Sequence, residues 1–504
     1  MALLAIDFGT TNCKAGVFAQ DGRQLAVATQ RTPSHQDQWG TVWYAEEVWE
    51  TVRVLVRQVV AEATSEEGSI EGISTSSVGE SGVLLDAAGR PLYPIIAWYD
   101  TRTLAERDFW ATHFGEQELR CLTGLPLDPI YSINKLMWMR THAPEAVEGA
   151  RRFLLMADWL AFKLSGEQVT NYSLASRTMS FDLAHRRFAE EILDLAGLPQ
   201  DIFGEAVPSG TVIGGLLPEM AEELDLIQGI PVVAGGQDHV VASLGAGLAS
   251  PGRLLNSTGT AETALAIVQG DLSSMAAPGV TLGCHVVNDF VYAMTTMRAS
   301  GASTEWALRE FADLGQNRPS SGGQPAPGYE TLLRLLEKGQ AADKGLFFFP
   351  LLRGSLVPDN HPEATGAFLG LRDTHTRADL ARAVFEGVCL EAAYEVDYLR
   401  QVTGVGLDRA IAVGGATKNP LWMQIKADVY GLPVDVPVVQ EAALLGAAML
   451  AGLGVGLYRN VAEAVVRTTQ GAVTYAPDPE RRAFWVSAQE RYNSMRQTLL
   501  QLAG

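Results

Sequence analysis

The chain has 504 residues, which is more than one ordinary hydrophobic core accommodates and therefore predicts two domains. Apolar residues make up 47% of it and charged residues 19%, as is typical of globular proteins that fold in water. The formal net charge of −20 repels polyanions, which argues against nucleic acid and anionic membranes as partners.

Cysteine usage and hydropathy indicate a cytoplasmic protein. The four cysteines form no CxxC pair, which argues against a zinc site or a disulfide framework and for a reducing compartment. No basic cluster precedes Asp7, so we expect no signal peptide. The uncharged run at residues 442–458 is short for a membrane span, and we predict a buried helix followed by a turn.

The opening segment has the pattern of a strand, a turn and a second strand. Residues 3–6 are apolar throughout, as expected of a strand buried on both faces, and residues 14–18 form the second strand. Between them lie turn-forming residues that begin at Asp7, and Asp21-Gly22 predicts a hairpin. Residues 45–63 carry apolar side chains on one helical face, which predicts an amphipathic helix.

A second copy of this opening pattern occurs at residues 253–265. Its Gly259-Thr260 turn lies 250 positions after Gly9-Thr10, about half the chain length. The repeat predicts two related α/β domains, and the glycine-rich stretch at their junction places them at residues 1–246 and 247–504. A stretch rich in Pro, Gly, Ser and Gln, residues 315–328, predicts a surface loop.

Two Gly-Thr turns, one in each half, suit a nucleotide whose phosphates lie between two domains. Glycine allows a close approach of the backbone to phosphate, and the exposed N–H groups and threonine hydroxyls donate hydrogen bonds to it. Asp7 precedes the first turn and would hold Mg²⁺, usually through water. The alternative is that both turns are ordinary hairpins, and their matching positions argue against it.

Two further segments end an apolar strand with glycine. Residues 231–237 lead into Asp238, and an acid at this end of a strand lies where open α/β sheets bind ligands. A kinase needs a carboxylate there to accept the proton of the attacking hydroxyl, although Asp238 could instead cap the next helix. At Gly414-Gly415 an adenine ring could lie against bare backbone, or the glycines could serve tight packing; the chain contains no GxxxxGK[ST] motif.

Taken together, four segments resemble the ordered motifs of the FGGY family of carbohydrate kinases, over nearly the whole chain. The segments are Asp7-Phe8-Gly9-Thr10-Thr11, Gly236-Gln237-Asp238-His239, Thr258-Gly259-Thr260 and Gly414-Gly415-Ala416-Thr417-Lys418-Asn419. They are similar to the family's first phosphate motif, catalytic-base segment, second phosphate motif and adenosine motif. The resemblance implies two ribonuclease-H-like, actin-like α/β domains with a catalytic cleft between them, and MgATP as the phosphoryl donor.

The resemblance also implies residue roles. Asp238 would be the catalytic base, and Asp7 and Asp238 would lie near the Mg²⁺. Another family landmark begins at Gly301. The implied nucleotide-binding residues are Gly9, Thr10, Thr11, Lys14, Thr258, Gly259, Thr260, Gly301, Gly414, Gly415, Ala416 and Asn419. The implied substrate-binding residues are Gly79, Glu80, Trp98, Asp238 and His239.

The substrate segment departs from both well-known patterns of the family. Xylulokinases usually show Gln-Met-His-Gly here, and glycerol kinases show Arg-Glu, of which this chain keeps Glu80 but has Gly79 for the arginine. We expect open space beside Gly79 and hence a substrate longer than glycerol. The alternatives are that Glu80 is a solvated loop acid, that Trp98 is a core aromatic, and that His239 is a surface or capping residue.

The resemblance predicts an ATP-dependent kinase of a ketose, polyol or sugar acid, in the first place a xylulokinase-like pentulose kinase. Glycerol, erythritol and gluconate are alternative substrates within the family. Outside it, one alternative is an actin-like ATPase, although no segment after the adenosine motif looks large enough for a peptide-binding domain. The other is a non-catalytic sugar sensor, against which the intact Asp7 and Asp238 argue. We expect a small sugar or polyol as partner, no nucleic acid and no membrane; a homodimer is left open.

Overall fold

The computed structural model describes residues 1–63, 69–312, 328–358, 360–439, 441–469 and 471–503. The predicted loop at residues 315–328 lies outside these ranges, apart from Gly328. The strands are β1 (Ala2–Phe8), β2 (Asn12–Ala19), β3 (Gln24–Arg31), β4 (His35–Gln36), β5 (Thr41–Trp43), β6 (Ile70–Ser77), β7 (Gly82–Leu85), β8 (Ile95–Ile96), β9 (Arg152–Leu155), β10 (Val169–Asn171), β11 (Phe181–Asp182), β12 (Arg187–Phe188), β13 (Glu205–Val207), β14 (Val212–Gly215), β15 (Pro231–Gln237), β16 (Arg253–Thr258), β17 (Glu262–Val268), β18 (Thr281–Cys284), β19 (Val291–Met297), β20 (Phe347–Phe349), β21 (Ala367–Leu369), β22 (Arg409–Gly414), β23 (Val434–Pro437) and β24 (Ala472–Tyr475).

The helices lie between groups of these strands along the chain. They are α1 (Ala45–Ala63), α2 (Leu104–His113), α3 (Glu116–Thr123), α4 (Ser132–His142), α5 (Pro144–Glu148), α6 (Met156–Ser165), α7 (Tyr172–Ala175), α8 (Glu190–Ala196), α9 (Pro218–Leu224), α10 (Asp238–Gly245), α11 (Leu272–Met275), α12 (Ser300–Phe311), α13 (Tyr329–Lys338), α14 (Arg377–Thr403), α15 (Pro420–Tyr430), α16 (Ala442–Gly454), α17 (Val461–Thr468) and α18 (Arg482–Ala503). Short 3₁₀ turns span Ala342–Lys344, Gly415–Lys418 and Pro479–Arg481. The helix predicted at residues 45–63 is confirmed as α1.

A six-stranded mixed sheet forms in the first half of the chain, with the strand order β14-β15-β6-β1-β2-β3. Strands β1, β2 and β3 are antiparallel neighbours, whereas β1, β6 and β15 run parallel. Every residue of β1 is buried, which explains its continuous apolar pattern at the centre of the sheet. The predicted strands at residues 3–6 and 14–18 are therefore confirmed.

A seven-stranded sheet in the second half repeats this plan, with the order β18-β19-β17-β16-β22-β23-β24. Strands β16, β17 and β19 are antiparallel, and β16, β22 and β23 are parallel. The Gly9-Thr10 turn joins β1 to β2, and the Gly259-Thr260 turn joins the equivalent strands β16 and β17. The predicted internal repeat and the ribonuclease-H-like α/β fold class are confirmed.

One hydrophobic cluster joins both sheets to helices α10 and α16. Helix α16 comes from the second half of the chain but packs on β1, β6 and β15 of the first sheet. A Cβ atom at Gly446 would lie 2.0 Å from the carbonyl oxygen of Val241, and one at Gly245 would lie 2.0 Å from that of Ala442. The two helices therefore cross with their backbones in contact, and the predicted buried helix after residue 442 is confirmed.

In the part of the chain that the structure describes, no helix is both long and apolar enough to cross a membrane. The four cysteines are all free thiols, and three of them are buried.

The α10–α16 crossing predicts that Gly446→Ala destabilises the protein. The new methyl group would force the helix backbones apart, and overpacking of this kind typically costs about 1–3 kcal/mol of unfolding free energy. The matched control is Gly406→Ala, because a Cβ there has no atom within 4 Å, and we expect a change below about 1 kcal/mol. Urea denaturation of both variants measures the difference; equal stability would contradict the close crossing.

Candidate active site

The first Gly-Thr turn is held by a backbone hydrogen bond between residues three positions apart. The amide of Gly9 donates to the carbonyl of Asn12 at 3.0 Å, and a Cβ at Gly9 would lie 2.9 Å from the same oxygen. The hydroxyl of Thr32 donates to the Gly9 carbonyl at 2.7 Å. The Thr10 hydroxyl accepts a 2.7 Å hydrogen bond from the indole nitrogen of Trp98. The turn is thus fixed and connected to a residue predicted to bind sugar.

The second Gly-Thr turn has a tighter internal bond, from the Gly259 amide to the carbonyl of Ala261, two residues on, at 2.9 Å. It also receives the start of α12, because the Gly301 amide donates to the Gly259 carbonyl at 3.1 Å. A Cβ at Gly301 would lie 2.1 Å from that carbonyl oxygen, and one at Gly414 would lie 2.4 Å from the oxygen of Thr258. Both glycines are therefore required for the turn to pack against its neighbours.

A buried ion pair lies directly behind the second turn. The ammonium of Lys426 donates to Glu262 at 2.8 Å and to the Thr258 hydroxyl at 3.2 Å, and it also contacts Asn256. Glu262 accepts a further 2.6 Å hydrogen bond from the Ser300 hydroxyl at the start of α12. Burial opposes the charge of Glu262, but Lys426 holds its pKa below the ordinary value. No motif in the sequence predicts this pair, and its one sign is a lysine in the largely apolar helix α15.

A cavity of about 310 Å³ opens beside the second turn. Of the nucleotide-binding residues predicted in the second half of the chain, all but Gly414 line it. Its full lining is Thr258, Gly259, Thr260, Gly301, Thr304, Glu305, Leu308, Tyr329, Leu332, Phe385, Gly415, Ala416, Asn419 and Trp422. No atom lies within 4 Å of a Cβ built at Gly415, so tight packing does not explain this glycine. The large apolar side chains of the lining come from helices α12 to α15, and no sequence motif predicts their position.

Asp7 lies buried at the end of β1, and its Oδ1 atom accepts no hydrogen bond from the residues that the structure describes. Burial and the nearby carboxylate of Asp238 raise the pKa of Asp7 to about 7. Lys14 lies opposite Asp7 on β2, but its ammonium pairs with Glu441 at 2.6 Å. Two carboxylates that oppose each other's ionisation are the environment that a cation relieves.

This donor set fits Mg²⁺ bound together with phosphate. Within the described ranges, no group of three or more His, Cys, Asp or Glu side chains could hold a metal ion. Mg²⁺ usually takes only one or two carboxylates and completes its shell with water and substrate phosphates. Asp7, with its unpartnered oxygen, and Asp238 would be those carboxylates.

Asp238 is the first residue of α10, directly after the end of β15. Its Oδ1 atom accepts hydrogen bonds from the His239 amide at 2.7 Å and from the Gln237 side chain at 2.5 Å. The residue that caps the helix is Gln237, whose side-chain oxygen accepts from the Val240 amide. The alternative that Asp238 is the cap is therefore wrong. Burial raises the pKa of Asp238, Glu80 adds to this effect, and His239, which is exposed, opposes it.

A chain of buried hydrogen bonds supports the residue before Asp238. The backbone N–H of Gln237 donates to the Ser173 hydroxyl at 2.9 Å, and this hydroxyl donates to the side-chain oxygen of Asn171 at 2.8 Å. The Asn171 side chain donates to Asp158 at 2.7 Å. Burial raises the pKa of Asp158 to about 8, and its Oδ2 has no partner among the described residues. The end of β15 is thereby attached to helix α6.

Glu80 is buried and has a left-handed backbone with φ of 62°. The Nε atom of Arg177 donates to its Oε1 at 2.6 Å, and Nη2 contacts the same oxygen. The ammonium of Lys135 donates to the Glu80 carbonyl at 3.3 Å and to the Trp98 carbonyl at 3.5 Å. The alternative that Glu80 is a solvated loop acid is therefore wrong, and Lys135 links two of the residues predicted to bind substrate.

The expected open space beside Gly79 is absent. A Cβ at this position would lie 3.3 Å from the Cγ atom of Arg177 and 3.5 Å from that of Gln237. Arg177 comes from the turn after α7 and fills the space with its side chain. Gly79 therefore does not favour a substrate longer than glycerol, and that expectation is wrong, because the guanidinium of Arg177 lies beside Glu80.

Trp98 is half-buried and packs against the hydrophobic core of the first sheet. Its indole nitrogen donates to the Thr10 hydroxyl. The rest of its segment is structural. Arg102 pairs with Asp100 at 2.9 Å and with Asp37 at 3.0 Å, and the Arg102 and Asp100 side chains are almost fully buried. These ion pairs fix the loop that presents Trp98 beside the first turn.

Comparison with known proteins gives matches along the whole chain. The N-terminal and C-terminal domain models of the FGGY family of carbohydrate kinases match residues 2–245 and 254–455. A xylulose kinase of Bacillus subtilis is 28% identical, with 94% of this chain and 92% of that protein covered. A glycerol kinase of Trichlorobacter lovleyi is 32% identical, with 97% of each covered. The crystal structure of xylulose kinase from Rhodospirillum rubrum superposes with a TM-score of 0.90 at 25% identity and covers 100% of both chains.

Because the carboxyl of Asp158 is buried, we predict that the unfolding free energy depends on pH and that Asp158→Asn removes this dependence. Its pKa is about 8 when folded and about 4 in an unfolded chain. Between these values only the folded state keeps the proton, so the stability of the natural protein should fall as the pH rises, by up to about 1.4 kcal/mol per pH unit. The asparagine variant should therefore gain stability relative to it between pH 5 and pH 8.

Denaturation midpoints in urea at pH 5, 6.5 and 8 measure this effect. The control is Asp289→Asn, because Asp289 is exposed, and its profile should run parallel to that of the natural protein. A parallel profile for Asp158→Asn would contradict a protonated Asp158.

Proposed function

This chain belongs to the FGGY family of carbohydrate kinases, and from that premise we propose that it transfers the γ-phosphoryl group of ATP to a hydroxyl of a xylulose-like pentulose. Membership makes it a phosphotransferase with a sugar or polyol acceptor and ATP as the donor. The observation that supports a sugar or polyol acceptor is the buried Glu80–Arg177 pair, whose charges both act on Asp238. A polar pocket of this kind suits an acceptor that carries several oxygens. The choice of a pentulose rests on the similarity to xylulose kinases.

Glycerol is the second candidate, and the position of Arg177 favours it. In sequence this chain lacks the Arg-Glu pair of glycerol kinases, but Arg177 lies against Gly79 and pairs with Glu80. The similarity to the glycerol kinase of Trichlorobacter lovleyi agrees with this candidate. The similarity to two xylulose kinases, one in sequence and one in structure, supports the pentulose.

We propose that residues 1–246 bind the acceptor and residues 247–504 bind the nucleotide. The acceptor residues Glu80 and Trp98 lie in the first part, and the 310 Å³ cavity lies in the second. The adenosine would occupy this cavity against Gly415, and the phosphates would reach from the second Gly-Thr turn to the first. Backbone N–H groups and threonine hydroxyls of both turns would then donate to the phosphate oxygens.

In the proposed mechanism Asp238 accepts the proton of the attacking hydroxyl. Its Oδ1 atom already accepts two hydrogen bonds, whereas no described residue donates to Oδ2, which leaves this oxygen for the acceptor hydroxyl. The raised pKa of Asp238 brings its basicity closer to that required near neutral pH. Phosphoryl transfer depends mainly on positioning and electrostatics, and Mg²⁺, when bound by Asp7 and Asp238, would neutralise phosphate charge.

Other properties of the molecule are consistent with this proposal. The net charge of −20 argues against nucleic acid as a partner, and the four free thiols suit a reducing cytoplasm. An actin-like ATPase without acceptor or a non-catalytic sugar sensor would have no need for a carboxylate with a raised pKa at residue 238.

The proposed base predicts a loss of turnover in Asp238→Asn. General base catalysis contributes about 10²- to 10⁴-fold, so kcat for acceptor phosphorylation should fall by that factor. The affinity for ATP measured without Mg²⁺ should change little, because Asp238 lies outside the lining of the nucleotide cavity. The exposed Asp194→Asn serves as control. Coupled ADP release and equilibrium ATP binding measure both effects, and near-normal turnover of Asp238→Asn would refute the mechanism.

The acceptor is identified by steady-state kinetics on D-xylulose, glycerol, erythritol and gluconate. We expect the highest kcat/KM with D-xylulose. If glycerol has the highest value, the second candidate replaces the first; ATP hydrolysis without phosphorylation of any acceptor would contradict both.

A further inference from the structure

Arg177 carries a hydrogen-bond donor that the protein itself leaves unused. Its side chain is 8% exposed, and it belongs to the turn that follows α7. Nε and Nη2 are engaged by Glu80, but Nη1 is buried and has no hydrogen-bond partner among the residues described in the structure. An unsatisfied donor on a buried cation is costly, so a partner that arrives from outside the chain is the simplest reason to keep it.

The surroundings hold the guanidinium of Arg177 in one orientation. It lies over the ring of Tyr131, with 5.6 Å between the guanidinium carbon and the ring centroid. Its charge and a side-chain contact with the buried Tyr292 oppose the rise in the Tyr292 pKa that burial causes, but no described residue engages Nη1 in a hydrogen bond of good geometry. The charge of Arg177 also acts on Asp238. On the remaining side lies Gly79, where any side chain would begin 3.3 Å from the Arg177 Cγ atom. The absence of a side chain at Gly79 thus leaves room for Arg177 to reach Glu80.

We propose that Arg177 is a specificity-determining residue of the acceptor pocket, whose Nη1 donates a hydrogen bond to an oxygen of the acceptor other than the reacting one. Glu80 would accept a hydrogen bond from a neighbouring hydroxyl through Oε2, to which no described residue donates. This inference rests on the proposed function, because it assigns a contact to the same acceptor.

The pairing of charges narrows the class of acceptor. A donor and an acceptor held side by side match two oxygens on neighbouring carbons, as in a vicinal diol or an α-hydroxy ketone. The proposed acceptors are therefore polyols and ketoses that carry such a pair of oxygens.

The test asks whether the loss of one acceptor oxygen lowers kcat/KM by the same factor with and without Arg177. Values of kcat/KM are determined for D-xylulose and glycerol and for their monodeoxy analogues, with the natural protein and with Arg177→Lys. Lysine keeps a positive charge beside Glu80, which protects folding. It lacks the planar guanidinium, so one ammonium cannot replace both the donors to Glu80 and Nη1. A thermal melt of each variant establishes that it is folded.

We expect one deoxy analogue to be about 10- to 100-fold poorer than its parent with the natural protein. With Arg177→Lys this ratio should shrink to within about threefold, because the oxygen has then lost its partner. The matched control is Arg496→Lys, a buried arginine paired with Glu391 in the second half of the chain. It should keep the full ratio even if it is less stable.

The outcomes separate the inference from the function on which it rests. Phosphorylation with the same deoxy ratios in Arg177→Lys as in the natural protein would overturn the role of Arg177 and leave the kinase intact. Deoxy analogues that all match their parents with the natural protein would overturn the recognition of two neighbouring oxygens. If no acceptor is phosphorylated by the natural protein, the proposed function fails and the inference with it.

Discussion

The close crossing of helices α10 and α16 is the steric constraint on which the arrangement of the site depends. Gly245 and Gly446 bring each backbone against the other helix, and no larger residue fits at either point. Helix α10 begins with Asp238, and the residue before α16 is Glu441, the partner of Lys14 on β2. The crossing therefore connects the proposed base to the strands that carry the first Gly-Thr turn, and one hydrophobic cluster extends it to the second sheet.

Buried ion pairs provide the second level of organisation. Lys426 and Glu262 support the second turn from behind, whereas Arg177 and Glu80 line the proposed acceptor pocket. Replacing buried pairs by apolar residues is often neutral or stabilising, so their presence points to a role in positioning rather than in stability. Each pair directs hydrogen bonds at a place where oxygen-rich ligands would bind, which stability alone does not require.

The sequence predicted the elements that depend on local patterns. The buried strand β1, helix α1 and both Gly-Thr hairpins follow from apolar periodicity and turn residues, and the repeat predicted two sheets of one plan. Residues that meet only through folding could not be found in this way. Arg177 reaches Glu80 across 97 positions, and Lys426 reaches Glu262 across 164. The error at Gly79 has the same cause, since the side chain that fills its space is remote in sequence.

The most direct test of this account is a crystal structure with a non-hydrolysable ATP analogue, Mg²⁺ and D-xylulose. The account predicts that the adenine lies against Gly415, that the γ-phosphate lies between the Gly9-Thr10 and Gly259-Thr260 turns, and that an acceptor hydroxyl lies within about 3.2 Å of Asp238. Phosphates that contact only one of the two turns, or an acceptor bound away from Asp238, would contradict it.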